Sequence, residues 1–404
     1  MVQQQGRSRV APPLHVVIST GEVSGDLQGS FLVKALYRQA QSQGLSLQVS
    51  ALGGQRMAAA GADLIADTTA IGSVGLFEAI PYILPTLKVQ KRLKQRLEDI
   101  PADLFVFLDY MGPNLTLGQF LQKTYPVLPT AYYIAPQQWV WTFSQKDTQT
   151  LVEISDRMIA VFPQEAEYYR QFGAQVAYFG HPLVDDFADP PTRVTARQSL
   201  GLALEDTVIT LLPASRHQEV KYVLPLMLAV AERLRQAIPQ VQFLLPLSMG
   251  KLRSVIESQV TQSGINARVI EGDTRSAIAA ADLVLNKSGT VNLEVALLNV
   301  PQVVIYRLNP LTARIAYYLL NFRVDYVSPV NLFVNKSIIP EFLQWQATVD
   351  NVTQTSLQIL ADEQTRSAIL AGYQELREQM GQPGVCDRVA TELLTFASES
   401  EGKA

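Results

Sequence analysis

An acidic, glycine-rich hexapeptide near the start of the chain has the composition of a ligand-binding turn. Residues 21–26 read Gly-Glu-Val-Ser-Gly-Asp, follow a short apolar run that ends at Ser19, and precede a helix-like stretch. Open α/β sheets bind ligands where a strand gives way to such a turn, because backbone N–H groups and short polar side chains meet there. The candidate residues are Glu22, Ser24 and Asp26. The alternative is that Ser24 or Asp26 only caps the helix.

A single aspartate directly after a strongly apolar run is the candidate general base. Asp109 follows Leu104–Leu108, and a carboxylate at the carboxyl end of a buried strand is placed to take a proton from a bound substrate. The alternative is an aspartate that caps the following helix. A second glycine turn, Gly53-Gly54, follows another apolar run and either approaches a ligand or simply turns the chain.

Two segments in the second half of the chain have the residues expected of a diphosphate site. Ser215-Arg216 follows an apolar run, and an arginine there supplies a fixed guanidinium fork. Ser288-Gly289-Thr290 follows another apolar run and offers backbone amides and two hydroxyls to phosphate oxygens. Glu294, one turn further on, is placed to accept hydrogen bonds from ribose hydroxyls. The alternatives are a helix start with an exposed Arg216 and a first-turn glutamate favoured by the helix dipole.

An apolar loop followed by a basic amphipathic helix suits a surface that contacts an anionic membrane or acyl chains. The helix carries five cations between positions 88 and 96. The residues assigned to this surface are Val74, Leu76, Phe77, Lys88, Lys91 and Arg92. The alternative is a helix that packs its apolar stripe on the core and leaves its charges in solvent.

Short apolar runs alternate with longer amphipathic stretches from end to end, which predicts parallel sheets. A Pro- and Asp-rich segment at 185–193 predicts a linker. We therefore expect an α/β fold of two Rossmann-like domains that face a cleft, residues 1–190 and 191–404, and leave open whether the last helix packs back on the first domain. The predicted strands are 16–19, 48–52, 104–108, 130–134, 157–160 and 177–179 in the first domain, and 208–212, 242–245, 268–270, 283–285 and 302–305 in the second.

Composition limits the class of protein. The chain has 404 residues, is 48% hydrophobic and 17% charged, and carries a net charge of −4. This indicates a core-rich globular protein and argues against nucleic acid as a partner. With one cysteine and three widely spaced histidines, we expect neither an internal disulfide nor a metal site. We find no apolar run of roughly 18 residues and no signal-peptide pattern, so we expect a cytoplasmic protein.

Together these motifs resemble the lipid-A-disaccharide synthase family of inverting GT-B glycosyltransferases over nearly the whole chain. Each motif is short, but their order and spacing are specific. They are Gly21–Asp26, Gly53–Met57, Val74–Glu78, Leu108-Asp109, Tyr133 to Trp141, Phe162-Pro163, Gly180-His181-Pro182, Ser215-Arg216, Ser288–Glu294, Tyr306-Arg307, Asp325–Ser328 with Asn331-Leu332, and Pro340-Glu341 with Leu343-Gln344.

The resemblance implies a sugar transfer without metal or cofactor. The implied donor is UDP-2,3-diacylglucosamine, the acceptor is 2,3-diacylglucosamine 1-phosphate, and the products are a β-1,6-linked disaccharide phosphate and UDP. By position, Asp109 is implied as the base for the acceptor 6-hydroxyl, with Glu22 and Ser24 as further catalytic residues. The implied substrate-binding residues are Asp26, Arg216, Ser288, Gly289, Thr290, Glu294, Asn331 and Gln344.

The resemblance also bears on location and on the alternatives. It implies a cytoplasmic enzyme that associates peripherally with the inner membrane, and it leaves a monomer or a homodimer open. Gly112 stands where the family usually has a second aspartate, Ala214 where it has a glycine, and Pro329-Val330 where it commonly has Leu-Pro. The alternatives are therefore a UDP-sugar 2-epimerase on the same scaffold, or a divergent paralogue that uses another acceptor or lacks catalysis.

Overall fold

The chain folds into two α/β units, each built around one parallel sheet. The computed structural model describes residues 12–21, 23–69, 83–142, 144–213, 217–247, 252–314, 317–318 and 324–401. Unit 1 contains the described residues up to Asp185 together with those from Gln382 on, and unit 2 runs from Asp186 to Gly381. The predicted α/β fold with parallel sheets is confirmed.

Unit 1 has a seven-stranded sheet. Its strands are β1 (Leu14–Ser19), β2 (Leu47–Gly53), β3 (Asp63–Asp67), β4 (Leu104–Leu108), β5 (Thr130–Tyr133), β6 (Arg157–Ala160) and β7 (Val176–Tyr178). They lie in the order β3-β2-β1-β4-β5-β6-β7. The helices are α1 (Val23–Ser42), α2 (Gln55–Ala59), α3 (Ile83–Asp99), α4 (Met111–Thr124), α5 (Gln145–Glu153), α6 (Pro163–Gln171), α7 (Leu183–Asp186) at the unit boundary, and α17 (Val385–Glu401).

Unit 2 has a six-stranded sheet. Its strands are β8 (Val208–Leu212), β9 (Gln242–Leu247), β10 (Ala267–Glu271), β11 (Leu283–Lys287), β12 (Gln302–Tyr306) and β13 (Glu341–Leu343). They lie in the order β10-β9-β8-β11-β12-β13. The helices are α8 (Arg193–Leu200), α9 (His217–Ala237), α10 (Arg253–Ser263), α11 (Thr274–Ala279), α12 (Val291–Leu297), α13 (Pro310–Arg314), α14 (Pro329–Val334), α15 (Val349–Ala361) and α16 (Glu363–Met380).

The central strands form the buried layer of each unit because they are continuous apolar runs with helices on both faces. All five residues of β4 and of β8 are buried. In unit 1 the rings of Phe105, Phe107 and Tyr132 pack on one another, with centroids 4.9 and 5.5 Å apart. Such dense cores fix the strand ends, and the strand ends in turn position the loops that follow them.

In each sheet the strand order reverses once, near the middle of the sheet. In unit 1, β1 lies beside β4 with Ser19 opposite Phe107. In unit 2, β8 lies beside β11 with Leu212 opposite Asn286. Open α/β sheets bind ligands beyond the carboxyl ends of the strands at this reversal. The loops after β1, β4, β8 and β11 are therefore where a site is expected in each unit.

The helices add two findings. α17, at the end of the chain, packs on α1 in unit 1, and the guanidinium of Arg38 lies 2.7 Å from the carboxylate of Asp387. Across the part of the chain that the structure describes, no helix has the length and apolar character needed to cross a membrane.

Candidate active site

The first part of the candidate site lies at the carboxyl ends of β1 and β4 in unit 1. Gly21 follows β1, and Asp109 and Tyr110 follow β4. The ring of Tyr110 lies so close to Gly21 that a Cβ at position 21 would come within 2.1 Å of it. Since only glycine fits there, the acidic loop after β1 packs directly on the loop that carries Asp109.

The backbone at this edge is strained. Asp109, Tyr110 and Ile134 have φ values of 49°, 56° and 57°, a left-handed region that side-chain-bearing residues rarely adopt. Each such residue costs about 1–3 kcal/mol and persists where the surroundings hold it, which is typical of functional sites. The strain lies at the carboxyl ends of the neighbouring strands β4 and β5, at the edge of the sheet where a site is expected.

The half-buried Asp109 is held by its own backbone groups. Its N–H donates to the carbonyl of Ile134 at 3.1 Å. Its carbonyl accepts from the side-chain amide of Asn114 and from the hydroxyl of Tyr132, both at 2.8 Å. Neither Asn114 nor Tyr132 stands out in the sequence as a site residue, because one lies within a helix pattern and the other within an apolar strand.

Asp26 and Ser24 lie on the first turn of α1, beside this edge. Asp26 is buried, and its carboxylate accepts from the backbone N–H groups of Gly54, Arg56 and Met57 at 2.8 to 3.1 Å. It therefore anchors the start of α2 and the turn before it. Ser24 is half-buried. The contacts of both residues with substrate stay predictions.

Residues that follow the strands β5, β6 and β7 form a buried cluster in unit 1. The Glu165 carboxylate accepts from the N–H groups of Ala135, Val161 and Phe162 at 2.9 to 3.2 Å, and burial raises the pKa of Glu165 to about 8. The ring of Phe162 contacts His181 at 5.9 Å between centroids, and burial lowers the pKa of His181 to about 3. These contacts join the loops after β5, β6 and β7.

The second part of the candidate site lies at the carboxyl end of β11 in unit 2. Ser288 is buried and donates its hydroxyl to the carbonyl of Val327 at 2.6 Å. Gly289 faces open space, because a Cβ there would meet no atom within 4 Å. Thr290 precedes α12, and Glu294 lies half-buried on its first turn. A small, accessible loop of this kind can receive phosphate oxygens.

Two further predicted substrate contacts organise the loops around β13. Asn331 is fully buried, donates to the carbonyl of Ile339 at 2.9 Å, and accepts from the N–H groups of Ile338 and Ile339. Gln344 accepts from the N–H of Leu308 at 3.0 Å and has a φ of 43°. Both side chains thus hold backbone at this edge, and their contacts with substrate stay predictions.

Several predicted residues lie outside the described part of the chain. They are Glu22, Val74, Leu76, Phe77 and Arg216. The helix that follows the apolar loop is described in part. Lys88, Lys91 and Arg92 are exposed on α3, whereas Leu93 and Leu97 are buried in the core. In the ranges given above, no three His, Cys, Asp or Glu side chains lie close enough together to hold a metal ion.

Known sequences match nearly the whole chain. The family model of lipid-A-disaccharide synthetase matches residues 16–395. A lipid-A-disaccharide synthase from Synechocystis sp. is 49% identical over 387 residues, which are 95% of this chain and 98% of the relative. One from Gloeothece citriformis is 48% identical over 383 residues, which are 95% of this chain and 100% of the relative.

The solved structures that resemble this chain do so in fold. A UDP-GlcNAc 2-epimerase from Neisseria meningitidis, bound to UDP-GlcNAc, has a TM-score of 0.65 at 12% identity and covers 95% of this chain and 100% of its own. A kitacinnamycin glycotransferase has a TM-score of 0.63 at 15% identity, with coverage of 96% and 100%. The likeness to the epimerase is a likeness of fold alone. The matches in sequence are to one family. The chain belongs to the lipid-A-disaccharide synthase family.

Proposed function

We propose that Asp109 is the base in the glycosyl transfer that this family carries out. As a family member the protein is a hexosyltransferase, with a UDP-sugar donor and a glucosamine-phosphate acceptor. The acceptor 6-oxygen forms a bond to the anomeric carbon of UDP-2,3-diacylglucosamine while the bond from that carbon to UDP breaks. The 6-hydroxyl proton passes to Asp109, and UDP leaves with the bonding electrons. The product from 2,3-diacylglucosamine 1-phosphate is then β-1,6-linked.

The position and strain of Asp109 support this role most strongly. It follows a fully buried strand at the point where the strand order of unit 1 reverses, where open α/β sheets bind ligands. Its φ of 49° is a conformation that structures retain where a side chain must point in a particular direction. The neighbouring Ser24 is proposed to contact the acceptor, as is Glu22.

The donor is proposed to bind at the corresponding edge of unit 2. The backbone around Gly289 and the hydroxyl of Thr290 are assigned to the diphosphate, and Glu294 is assigned to the ribose hydroxyls. Arg216, which follows β8 in the sequence, is proposed to supply the guanidinium that a diphosphate needs. Ser288, Asn331 and Gln344 are assigned chiefly to the shape of this site, since their polar atoms bond to the backbone.

Two variants test the assignment of base and donor site separately. We expect Asp109→Asn to lower kcat by at least about 10²-fold, within the range of general base catalysis, and to leave the Kd of UDP nearly unchanged. Arg216→Ala should raise the Kd of UDP about tenfold or more, as expected for the loss of a charged hydrogen bond. Turnover is measured with both diacylated substrates and the product mass, and UDP binding by calorimetry.

The outcomes separate the possibilities. Wild-type turnover in Asp109→Asn would remove Asp109 from the base role, and unchanged UDP affinity in Arg216→Ala would remove Arg216 from the donor site. Incubation with UDP-GlcNAc and no acceptor serves as the control for epimerase activity, and we expect no isomer. UDP binding without disaccharide formation in the wild-type protein would identify a paralogue with another acceptor or none.

We further propose that the enzyme meets its acylated substrates in the cytoplasm, at the surface of the inner membrane. The exposed Lys88, Lys91 and Arg92 of α3 are suited to anionic headgroups, and the apolar segment with Val74, Leu76 and Phe77 precedes them in the sequence.

Charge reversal tests the membrane proposal. Lys91→Glu with Arg92→Glu should weaken binding to vesicles of phosphatidylglycerol and phosphatidylcholine about 30-fold, at about 1 kcal/mol per lost cation. Lys146→Glu, a substitution at an exposed position of α5, is the control and should have a much smaller effect. Equal binding by all three proteins would contradict the proposal.

A further inference from the structure

The conformation of Asp109 and Tyr110 needs an external support. Both residues are left-handed, with φ values of 49° and 56°, and neither is a glycine. Left-handed backbone costs roughly 1–2 kcal/mol per residue, so the pair would relax toward the right-handed region if nothing held it. The support must act on the backbone between them, and the Asp109 carbonyl is the group that lies there.

Two buried side chains donate to that carbonyl from different elements. The Asn114 amide reaches it from α4 at 2.8 Å, and the Tyr132 hydroxyl reaches it from β5 at 2.8 Å. Asn114 is itself fixed, because its amide oxygen accepts from the Ser19 hydroxyl at 2.8 Å. Both side chains are completely buried. The carbonyl is thus held by groups anchored in β1, α4 and β5.

Tyr132 is suited to act as a permanent donor. It lies in the core of unit 1, with its ring against Phe107, and burial raises the pKa of Tyr132 well above its ordinary value. Its hydroxyl therefore keeps its proton at every pH at which the enzyme works.

We infer that Asn114 and Tyr132 are positioning residues that hold the Asp109 backbone in its left-handed conformation and so direct its carboxylate. The inference rests on the proposed role of Asp109 as the base. If the carbonyl were released, rotation of the backbone toward the right-handed region would swing the Cα–Cβ bond and move the carboxylate. A displacement of about 1 Å is enough to lower the rate about 10²-fold.

The decisive variant is Tyr132→Phe, which keeps the ring and removes one donor. We expect kcat to fall about 10- to 100-fold, with the KM of both substrates within about twofold of wild type. Tyr169→Phe is the matched control. Tyr169 is also buried in unit 1 and donates to a backbone carbonyl, that of Pro136, at 2.7 Å. The Tyr169→Phe variant should lose about as much stability as Tyr132→Phe does, while it keeps the kcat of the wild type.

Asn114→Ala removes the other donor, but it also leaves the Ser19 hydroxyl without its acceptor. Because of this second effect, Tyr132→Phe is the variant that decides the matter. Thermal unfolding of Tyr132→Phe and Tyr169→Phe is measured alongside the kinetics, so that lost activity is compared at equal stability.

A double-mutant cycle with Asp109→Asn distinguishes positioning from a general structural role. Once the base is removed, Tyr132→Phe should change the residual rate by less than about twofold. An equal loss of kcat in both backgrounds, or a Tyr132→Phe enzyme as fast as wild type, would overturn the inference. Wild-type turnover in Asp109→Asn alone would instead overturn the proposed base, so the two failures are separate results.

Discussion

Gly112 is the second residue of α4, three residues after Asp109, and the space beside its Cα is empty. A Cβ at this position would meet no atom within 4 Å. Gly112 is also not one of the glycines with a positive φ angle, so its backbone conformation suits other residues. The N-terminus of α4 also lacks a side-chain cap. The chain thus has room for the aspartate that the family usually carries at this place.

Gly112→Asp should therefore be accepted without strain. A carboxylate in the first turn of a helix stabilises by about 0.3–1 kcal/mol, and loss of glycine in a helix adds to this, so we expect a small rise in Tm. If the second carboxylate contacts the acceptor, the acceptor KM should fall while the donor KM is unchanged. Gly112→Asn fills the same space without charge and is the control. A lower acceptor KM in both variants would exclude a role of the charge.

Glu165 makes the stability of unit 1 dependent on pH. Its pKa is about 8 in the folded chain and 4.5 in the reference state. Between these values the folded state keeps a proton that the unfolded state has released, so the free energy of unfolding falls as pH rises through this window. The contribution is present below about pH 4.5 and is lost above about pH 8.

We expect Glu165→Gln to flatten the decline of stability between pH 5 and pH 8. The variant should also be less stable at pH 5, because one of its side-chain atoms is an amide nitrogen that cannot accept from backbone N–H groups. Urea unfolding at several pH values measures both effects. Glu167→Gln, at an exposed position of the same helix, is the control. Parallel pH profiles for Glu165→Gln and wild type would contradict the assignment.

At the scale of elements, one carboxylate connects the parts of unit 2 at which the donor is proposed to bind. Glu341, at the start of β13, accepts from the N–H groups of Val327 and Ser328 at 2.8 and 3.1 Å and from the side-chain amide of Asn331 at 2.6 Å. The carbonyl of Val327 in turn accepts from the hydroxyl of Ser288. β13, α14 and the loop after β11 are therefore held as one assembly.

Glu341→Gln should loosen this assembly and weaken nucleotide binding. The amide nitrogen of glutamine would face groups that themselves donate, so at least one hydrogen bond is lost, at about 1–3 kcal/mol. We expect the Kd of UDP to rise about tenfold, measured by calorimetry. The control is Glu271→Gln, at an exposed position of β10. Wild-type UDP affinity in a folded Glu341→Gln protein would show that the donor loop holds its shape without this carboxylate.

The sequence patterns predict the elements well where burial is strong. All eleven predicted strands are present, with ends that differ by at most two residues. Among the strands that the structure describes, the patterns miss β3 and β13, and both are edge strands. Both carry a charged residue at their first position and are only partly buried. An apolar run is a consequence of burial on two faces, so it is weakest in such strands.

The candidate site is predictable in position but not in its internal bonds. Asp109 and Ser288 come directly after apolar strands, and parallel topology alone takes them to the carboxyl edges of their sheets. The hydrogen bond between Ser19 and Asn114 joins residues 95 positions apart, a pairing that no local pattern contains. The same holds for Asp26, whose partners lie about thirty positions away.

At the scale of the molecule, unit 1 is assembled from two distant parts of the chain. The Asp185 carboxylate accepts from the N–H groups of Gly384, Val385 and Cys386 at 2.6 to 3.0 Å. These groups lie at the start of α17, where backbone N–H groups have no partner within the helix. Asp185 therefore fixes the point at which the last helix joins unit 1.

Asp185→Ala should destabilise α17 and the α1 face on which it packs. The loss of a carboxylate cap costs about 0.5–2 kcal/mol, which predicts faster amide hydrogen exchange in α1 and α17 and unchanged exchange in unit 2. Asp362→Ala is the matched control. Asp362 caps α16 of unit 2 through the N–H groups of Gln364 and Thr365, so its loss should affect α16 instead. Identical exchange patterns in the two variants would contradict the prediction.

The return of α17 to unit 1 has a consequence for synthesis on the ribosome. Asp185 and the residues it caps are about 200 positions apart, so unit 2 is translated in between. At about 5–20 residues per second, the nascent first sheet waits some 10–40 seconds for its last helix. During that interval the face of α1 that α17 covers is exposed to solvent, so we expect chaperones to bind the amino-terminal part of the newborn polypeptide.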